Sequence, residues 1–73
     1  MPDLSQRLRQ LRTEKGMKQQ DMADQFGQSL RAYQYHESGT RHPEYLHLLA
    51  LADFFDVSLD YLTGRSESRQ KLP

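Results

Sequence analysis

Leu4, Leu8 and Leu11 recur at i, i+4 and i+7, the spacing that places apolar side chains on one face of a helix. Asp3, with Gln6 three residues on, has the form of a capping box, and Gly16 is placed to end the helix in the left-handed conformation. The pattern predicts a first helix from Leu4 to about Lys15. A second fits Gln19 to Phe26, with Met22, Ala23 and Phe26 inward and Gly27 as its stop. Lys18 stands where Ser or Thr would normally cap it, so the favourable charge at that end falls to Asp21. Ser29 is a better cap and opens a third helix from Leu30 to about Ser38, which Gly39 terminates before a polar loop to Pro43. A fourth helix, Glu44 to Phe55, carries an apolar stripe of Tyr45, Leu48, Leu49, Ala52 and Phe55. Ser58 caps a short fifth helix, Val57 and Leu62 have the spacing of a hydrophobic staple, and Gly64 ends it. The final stretch RSESRQKLP is polar and without period. Nothing in the pattern predicts a strand or a repeat. The expectation is an all-α, five-helix domain over residues 1–64, with 65–73 a polar tail or the start of a linker.

At 73 residues the chain can bury only a small core. It has no cysteine, which excludes disulfides and cysteine-based zinc sites. No apolar run approaches the roughly 20 residues of a membrane span, and the N-terminus lacks a signal-peptide layout. A soluble, cytoplasmic protein is expected. Formal net charge is zero, but unevenly distributed: residues 1–42 carry +2, residues 43–64 carry −4 and the tail carries +2. The zero sum predicts weak non-specific attraction to phosphate and a shallow salt dependence. Nucleophile, base and orienting group do not gather in one place and no glycine-rich phosphate loop is present, so an enzyme is not expected. His36, His42 and His47 fall on a helix end, a loop and the next helix, without the short register that converges metal ligands; no metal and no cofactor is expected.

The third helix poses the functional question, because it bears arginine, glutamine and two tyrosines where a core helix would carry leucine. At about 100° per residue, a helix that turns Tyr33 and His36 inward presents Arg31, Gln34 and Tyr35 on the opposite side, with Leu30 on the flank. Those side chains match the major groove: guanine N7 and O6 accept a forked arginine, adenine N6 and N7 suit a glutamine amide, and the thymine methyl takes apolar contact. On this helix alone, solvated surface residues are the alternative.

The order of motifs along the chain bears on that choice. LRTEKGMKQQDMA, the four-residue spacing of Ala23 and Gly27, SLRAYQYHESGTRHP and LLALADFFDVSLDYLTG together resemble the lambda-repressor-like, Cro-type helix-turn-helix family over about Leu4 to Gly64. The resemblance implies that helices 2 and 3 form the helix-turn-helix and that Leu30, Arg31, Gln34 and Tyr35 read bases. It places Gln19, Ser29, Thr40 and Arg41 against the DNA backbone, Gln19 also bracing the recognition helix. It pairs Arg12 with Glu37 as a partly buried structural ion pair, the alternative being two unrelated surface charges. Leu30 stands where the family is frequently polar, and His36 where Tyr or Trp is usual, a core or half-core histidine able to tie stability to pH.

The implied function is a sequence-specific regulator of transcription, a repressor in the first instance, binding double-stranded DNA as a homodimer on an inverted repeat. A protein-interaction module of the antitoxin-regulator type, with a partner protein or a further C-terminal domain, is the competing reading. Leu46, Ala50 and Phe54 form an i, i+4, i+8 row away from the core stripe, where the family is usually polar, and are a possible dimer contact.

Overall fold

The computed structural model describes residues 3–71. Five helices follow one another: α1 (Leu4–Glu14), α2 (Gln19–Gln25), α3 (Leu30–Ser38), α4 (Tyr45–Phe55) and α5 (Leu59–Leu62). Among the described residues there is no strand. Each start has a local cause. Asp3 Oδ1 accepts from the Gln6 amide at 3.0 Å while Gln6 Oε1 accepts from the Asp3 amide at 3.0 Å, so two orphan donors at the head of α1 are satisfied reciprocally. Ser29 Oγ accepts from Ala32 N at 3.1 Å, and Ser58 Oγ from Tyr61 N at 3.0 Å. At the weakly capped α2, Asp21 accepts from the Lys18 amide at 2.8 Å and its charge lies at the positive helix end.

The core is Leu8, Leu11, Met22, Ala23, Tyr33, Leu51, Ala52, Phe55, Val57, Tyr61 and Leu62, contributed by every helix. Burying Ala23 completely lets α3 fold back over α2, and the Gln28 amide closes the turn by donating to the Ala23 carbonyl at 2.8 Å. Gly27 serves that turn through its φ of +65° alone, since a Cβ there would meet nothing within 4 Å. α4 ends without a glycine: Asp56 takes the left-handed conformation at φ 55°, which short polar side chains tolerate.

The structure changes the inward face of α4. Tyr45 is 65% exposed, whereas Leu51, outside the expected stripe, is fully buried. The apolar face centres on Leu48, Leu51, Ala52 and Phe55, and Tyr45, at the first residue of the helix, lies off the middle of that face and largely in solvent. The polar segment after Gly64 also does more than trail away. Arg69 O accepts from the Ser58 amide at 2.9 Å, Ser68 O accepts from Ser58 Oγ at 3.0 Å, and Lys71 Nζ lies 3.0 Å from Asp53. The tail therefore lies across the α4–α5 junction, held by backbone carbonyls and by ion pairs of its charged side chains rather than by any apolar pattern a sequence could display.

Candidate nucleic-acid interface

α3 has two distinct sides. Tyr33 is fully buried and Glu37, four residues on, is 3% exposed; these two fix the inward face. His36 is half-buried beside them, its ring centroid 5.6 Å from that of His47, which in turn meets Phe26 edge-on at 5.1 Å. Two of the three histidines thus meet, although they sit on different helices. Burial is the main cause that pushes both imidazoles below their ordinary value; for His36 the neighbouring His47 and His42 add to it.

The opposite side carries Arg31 and Gln34, both exposed, with Leu30 at the margin of exposure. Tyr35 is half-buried. The Arg41 guanidinium carbon lies 4.8 Å from its ring centroid, so one π-face is covered by a cation. The loop after α3 is tied to the same residue: Thr40 N and Arg41 N converge on the Tyr35 carbonyl at 3.0 and 3.3 Å, while Ser38 and Thr40 hydroxyls lie 2.8 Å apart. Tyr35, Thr40 and Arg41 form one end of the candidate surface. At its other end Ser29 accepts the capping bond through its oxygen and keeps its hydroxyl proton for an outside acceptor.

Behind this surface, Glu37 gathers donors from two other elements. Arg12 Nε donates to Oε2 at 2.6 Å and an Arg12 terminal nitrogen donates to Oε1 at 3.1 Å, the bidentate geometry that suits guanidinium and carboxylate. Gln19 Nε2 donates to Oε1 at 3.3 Å, and Arg9, largely exposed, comes within 3.7 Å of the same oxygen. Burial alone would raise the Glu37 carboxyl, but these hydrogen bonds, led by Arg12, outweigh it and hold the group below the ordinary carboxylate range. Arg12 also donates to the Met17 carbonyl at 2.8 Å, tying the α1–α2 turn to the same centre. Gln34 Nε2 donates to Gln19 Oε1 at 3.1 Å, so an exposed residue of α3 is linked to the buried pair.

Of the residues singled out from the sequence, the structure brings Arg31, Gln34, Tyr35, Thr40 and Arg41 to one region with Gln19 and Ser29 at its edge. The row Leu46, Ala50 and Phe54 lies elsewhere and is uneven. Leu46 is 70% exposed, while Phe54 is partly covered by Phe26 and Phe55, at ring distances of 5.5 and 5.1 Å. The sequence reading missed Arg7. It lies on the leucine side of α1 between Leu4 and Leu11, a position that could have signalled its burial; it is 3% exposed, its guanidinium 3.9 Å from the Tyr61 ring centroid. No helix among the described residues is long and apolar enough to cross a membrane.

The helix-turn-helix family profile matches residues 8–62. The chain is 41% identical over 68 residues to the uncharacterized HTH-type transcriptional regulator YqaE of Bacillus subtilis (strain 168), covering 93% of this chain and 58% of that protein. It is 40% identical over 67 residues to the HTH-type transcriptional regulator AnsR of the same organism, with 92% and 58% covered. Over 47 residues it is 43% identical to the cryptic phage CTXphi transcriptional repressor RstR of Vibrio cholerae, covering 64% of this chain and 42% of that one. The chain thus spans less than two thirds of the length of each of these relatives. No solved structure matches it.

Proposed function

This chain belongs to the helix-turn-helix family, and from that premise we propose that it is a sequence-specific double-stranded DNA-binding regulator of transcription, a repressor, acting in the cytoplasm with α3 in the major groove. The observation that carries the reading is the division of α3: Tyr33 and Glu37 locked to α1 and α2, Arg31 and the open part of Tyr35 turned away from them, and Gln34 exposed beside Gln19 at the edge between the two sides. Arg31 offers a forked donor to guanine, Leu30 an apolar contact to a thymine methyl, and Tyr35 an aromatic edge. Gln19, Ser29, Thr40 and Arg41 hold the register against phosphates. Two copies related by a two-fold axis would place their α3 helices in successive major grooves about 34 Å apart and read an inverted repeat. It is a binding role, with no catalytic step assigned.

Selection of random duplexes by the purified protein tests this reading directly, an enriched palindrome being the expected result. Arg31→Ala should then cost about 1–3 kcal/mol on the enriched site and relax choice at one base pair. Arg41→Ala should weaken all duplexes alike and flatten the salt slope by about one unit. Equal losses on enriched and random duplex for Arg31→Ala would overturn its assignment.

A second reading, a protein-interaction module on the same fold, is favoured by one feature: Leu46 at 70% and Tyr45 at 65% exposure stand side by side at the start of α4. The Leu46, Ala50 and Phe54 row is the contact it offers to a second copy or a partner protein. Leu46→Lys leaving the sedimenting mass unchanged, in a protein that is dimeric to begin with, removes that row from the interface.

A further inference from the structure

Beneath the returning tail lies a cavity of about 510 Å³, bounded on one side by α4 and α5 and on the other by the tail. Its floor is apolar, made by Leu49, Ala52, Val57 and Leu59, of which Leu49 and Leu59 are only half-buried. The tail side is different: Ser66, Ser68 and Gln70 alternate along it and supply no apolar side chain to match that floor. The volume falls within the range of small-ligand sites, about 300–1,000 Å³, and an apolar lining with a few polar groups is their usual composition. Three charges line the space, Asp53, Asp60 and Lys71, for a net charge of −1. Lys71 Nζ is held by Asp53 at 3.0 Å and by Asp56 at 3.5 Å. Asp60 is uncommitted, its nearest cation among the described residues being Arg65 Nε at 4.0 Å, beyond hydrogen-bond range. The surroundings have the same sign, since residues 43–64 carry −4.

We propose that this cavity is a binding site for a small amphipathic cation, a primary amine on a short alkyl chain, with its ammonium against Asp60 and its methylenes on Leu49, Val57 and Leu59. Charge decides the class of ligand. An alcohol of the same length would find the same floor without an ionic partner, and an alkyl carboxylate would meet Asp53 and Asp60 as like charges. The chain supplies its own precedent in Lys71, an alkylammonium that the tail already sets on carboxylates at the edge of the cavity. Lys71 also opposes the ligand, because it neutralises Asp53 and brings a positive charge to a site that takes a cation. No residue of α3 lines the cavity, so the proposal stands apart from the reading of DNA.

Titration of hexylammonium chloride into the methyl-labelled protein tests this. The methyl resonances of Leu49, Val57 and Leu59 should shift to saturation, and butylammonium should bind more weakly, by up to about fourfold per methylene removed. Hexanol should bind several-fold less tightly than hexylammonium, and hexanoate less tightly still. Asp60→Asn should weaken hexylammonium several-fold, by a factor that shrinks at high salt, whereas Lys71→Gln should tighten it. Both side chains are exposed and the two changes act in opposite directions, so loss of fold cannot produce the pattern. Shifts that do not saturate, or that spread evenly over the core methyls, overturn the site. Equal binding of hexanol and hexylammonium overturns the assignment of a cation. A response to a lysine-rich peptide but not to hexylammonium makes this face a protein contact and overturns the small ligand.

Discussion

Arg7 and Arg12 leave the same helix, both lose most of their contact with water, and they are neutralised in opposite ways. Arg12, with 13% of its side chain exposed, meets a carboxylate that is itself only 1% exposed and makes two aligned hydrogen bonds to it. Arg7, with 4% exposed, comes 3.0 Å from Glu67, a residue of the tail that is 71% exposed. That approach is an ion contact without hydrogen-bond alignment, since two of the three Arg7 guanidinium nitrogens lack a partner among the described residues. The flat face of the Tyr61 ring takes up the rest, with Arg69 on the same ring at 5.0 Å. The difference is instructive. A charge whose partner is also buried is committed to that partner, because removing either one strands the other in a low dielectric. A charge whose partner stands in water can lose it at small cost.

Matched truncations break or sharpen this contrast. Arg12→Met strands Glu37 and should cost about 3–5 kcal/mol in urea unfolding. Arg7→Met strands nothing, and should cost only about 1–2 kcal/mol, chiefly the lost cation–ring contact. Equal costs for the two would show that burial of the arginine, not of its partner, decides the matter. Glu67→Gln should cost at most about 1 kcal/mol, less at high salt, because that carboxylate is mostly in water; a larger loss would mean that the tail is a full structural element.

The smallest effect is a slope in pH. His36 and His47 have folded values held below the ordinary 6.5, so the folded state favours their neutral forms. Their contribution is complete above that value and is lost as pH falls through the depressed folded values. Glu37 has the same sign at more acidic pH, its contribution complete above the ordinary 4.5 and lost as pH falls through its lowered value. Acidification should therefore weaken the fold in two stages. His47→Phe should flatten the first, between about pH 7 and 5, in a series of unfolding curves; a slope unchanged in that variant would assign the first stage to another group.

The candidate surface was largely legible because the residues that build it are local. Arg31, Gln34 and Tyr35 follow from the rotation of one helix once Tyr33 is turned inward, and that rotation is set by a period of about 3.6 residues. Arg12 and Glu37, far apart in the chain, were legible only through a family resemblance. The resemblance set Gln19 against the recognition helix, but not that Gln34 is its partner there, since neither periodicity nor composition says where a side-chain amide points.

What the amino-acid order determined by itself is the set of short-range choices: helix starts at Asp3, Ser29 and Ser58, the stop at Gly39, and the apolar faces of α1 and α3. These depend on side chains within one helical turn of the backbone groups they satisfy, so a local pattern suffices. Tertiary structure alone decided that Leu51 rather than Tyr45 enters the core, that Arg7 lies under Tyr61, and that the tail returns to Ser58. Each of those outcomes depends on what another segment places opposite, and the energy of burial is assigned by the neighbour, not by the residue.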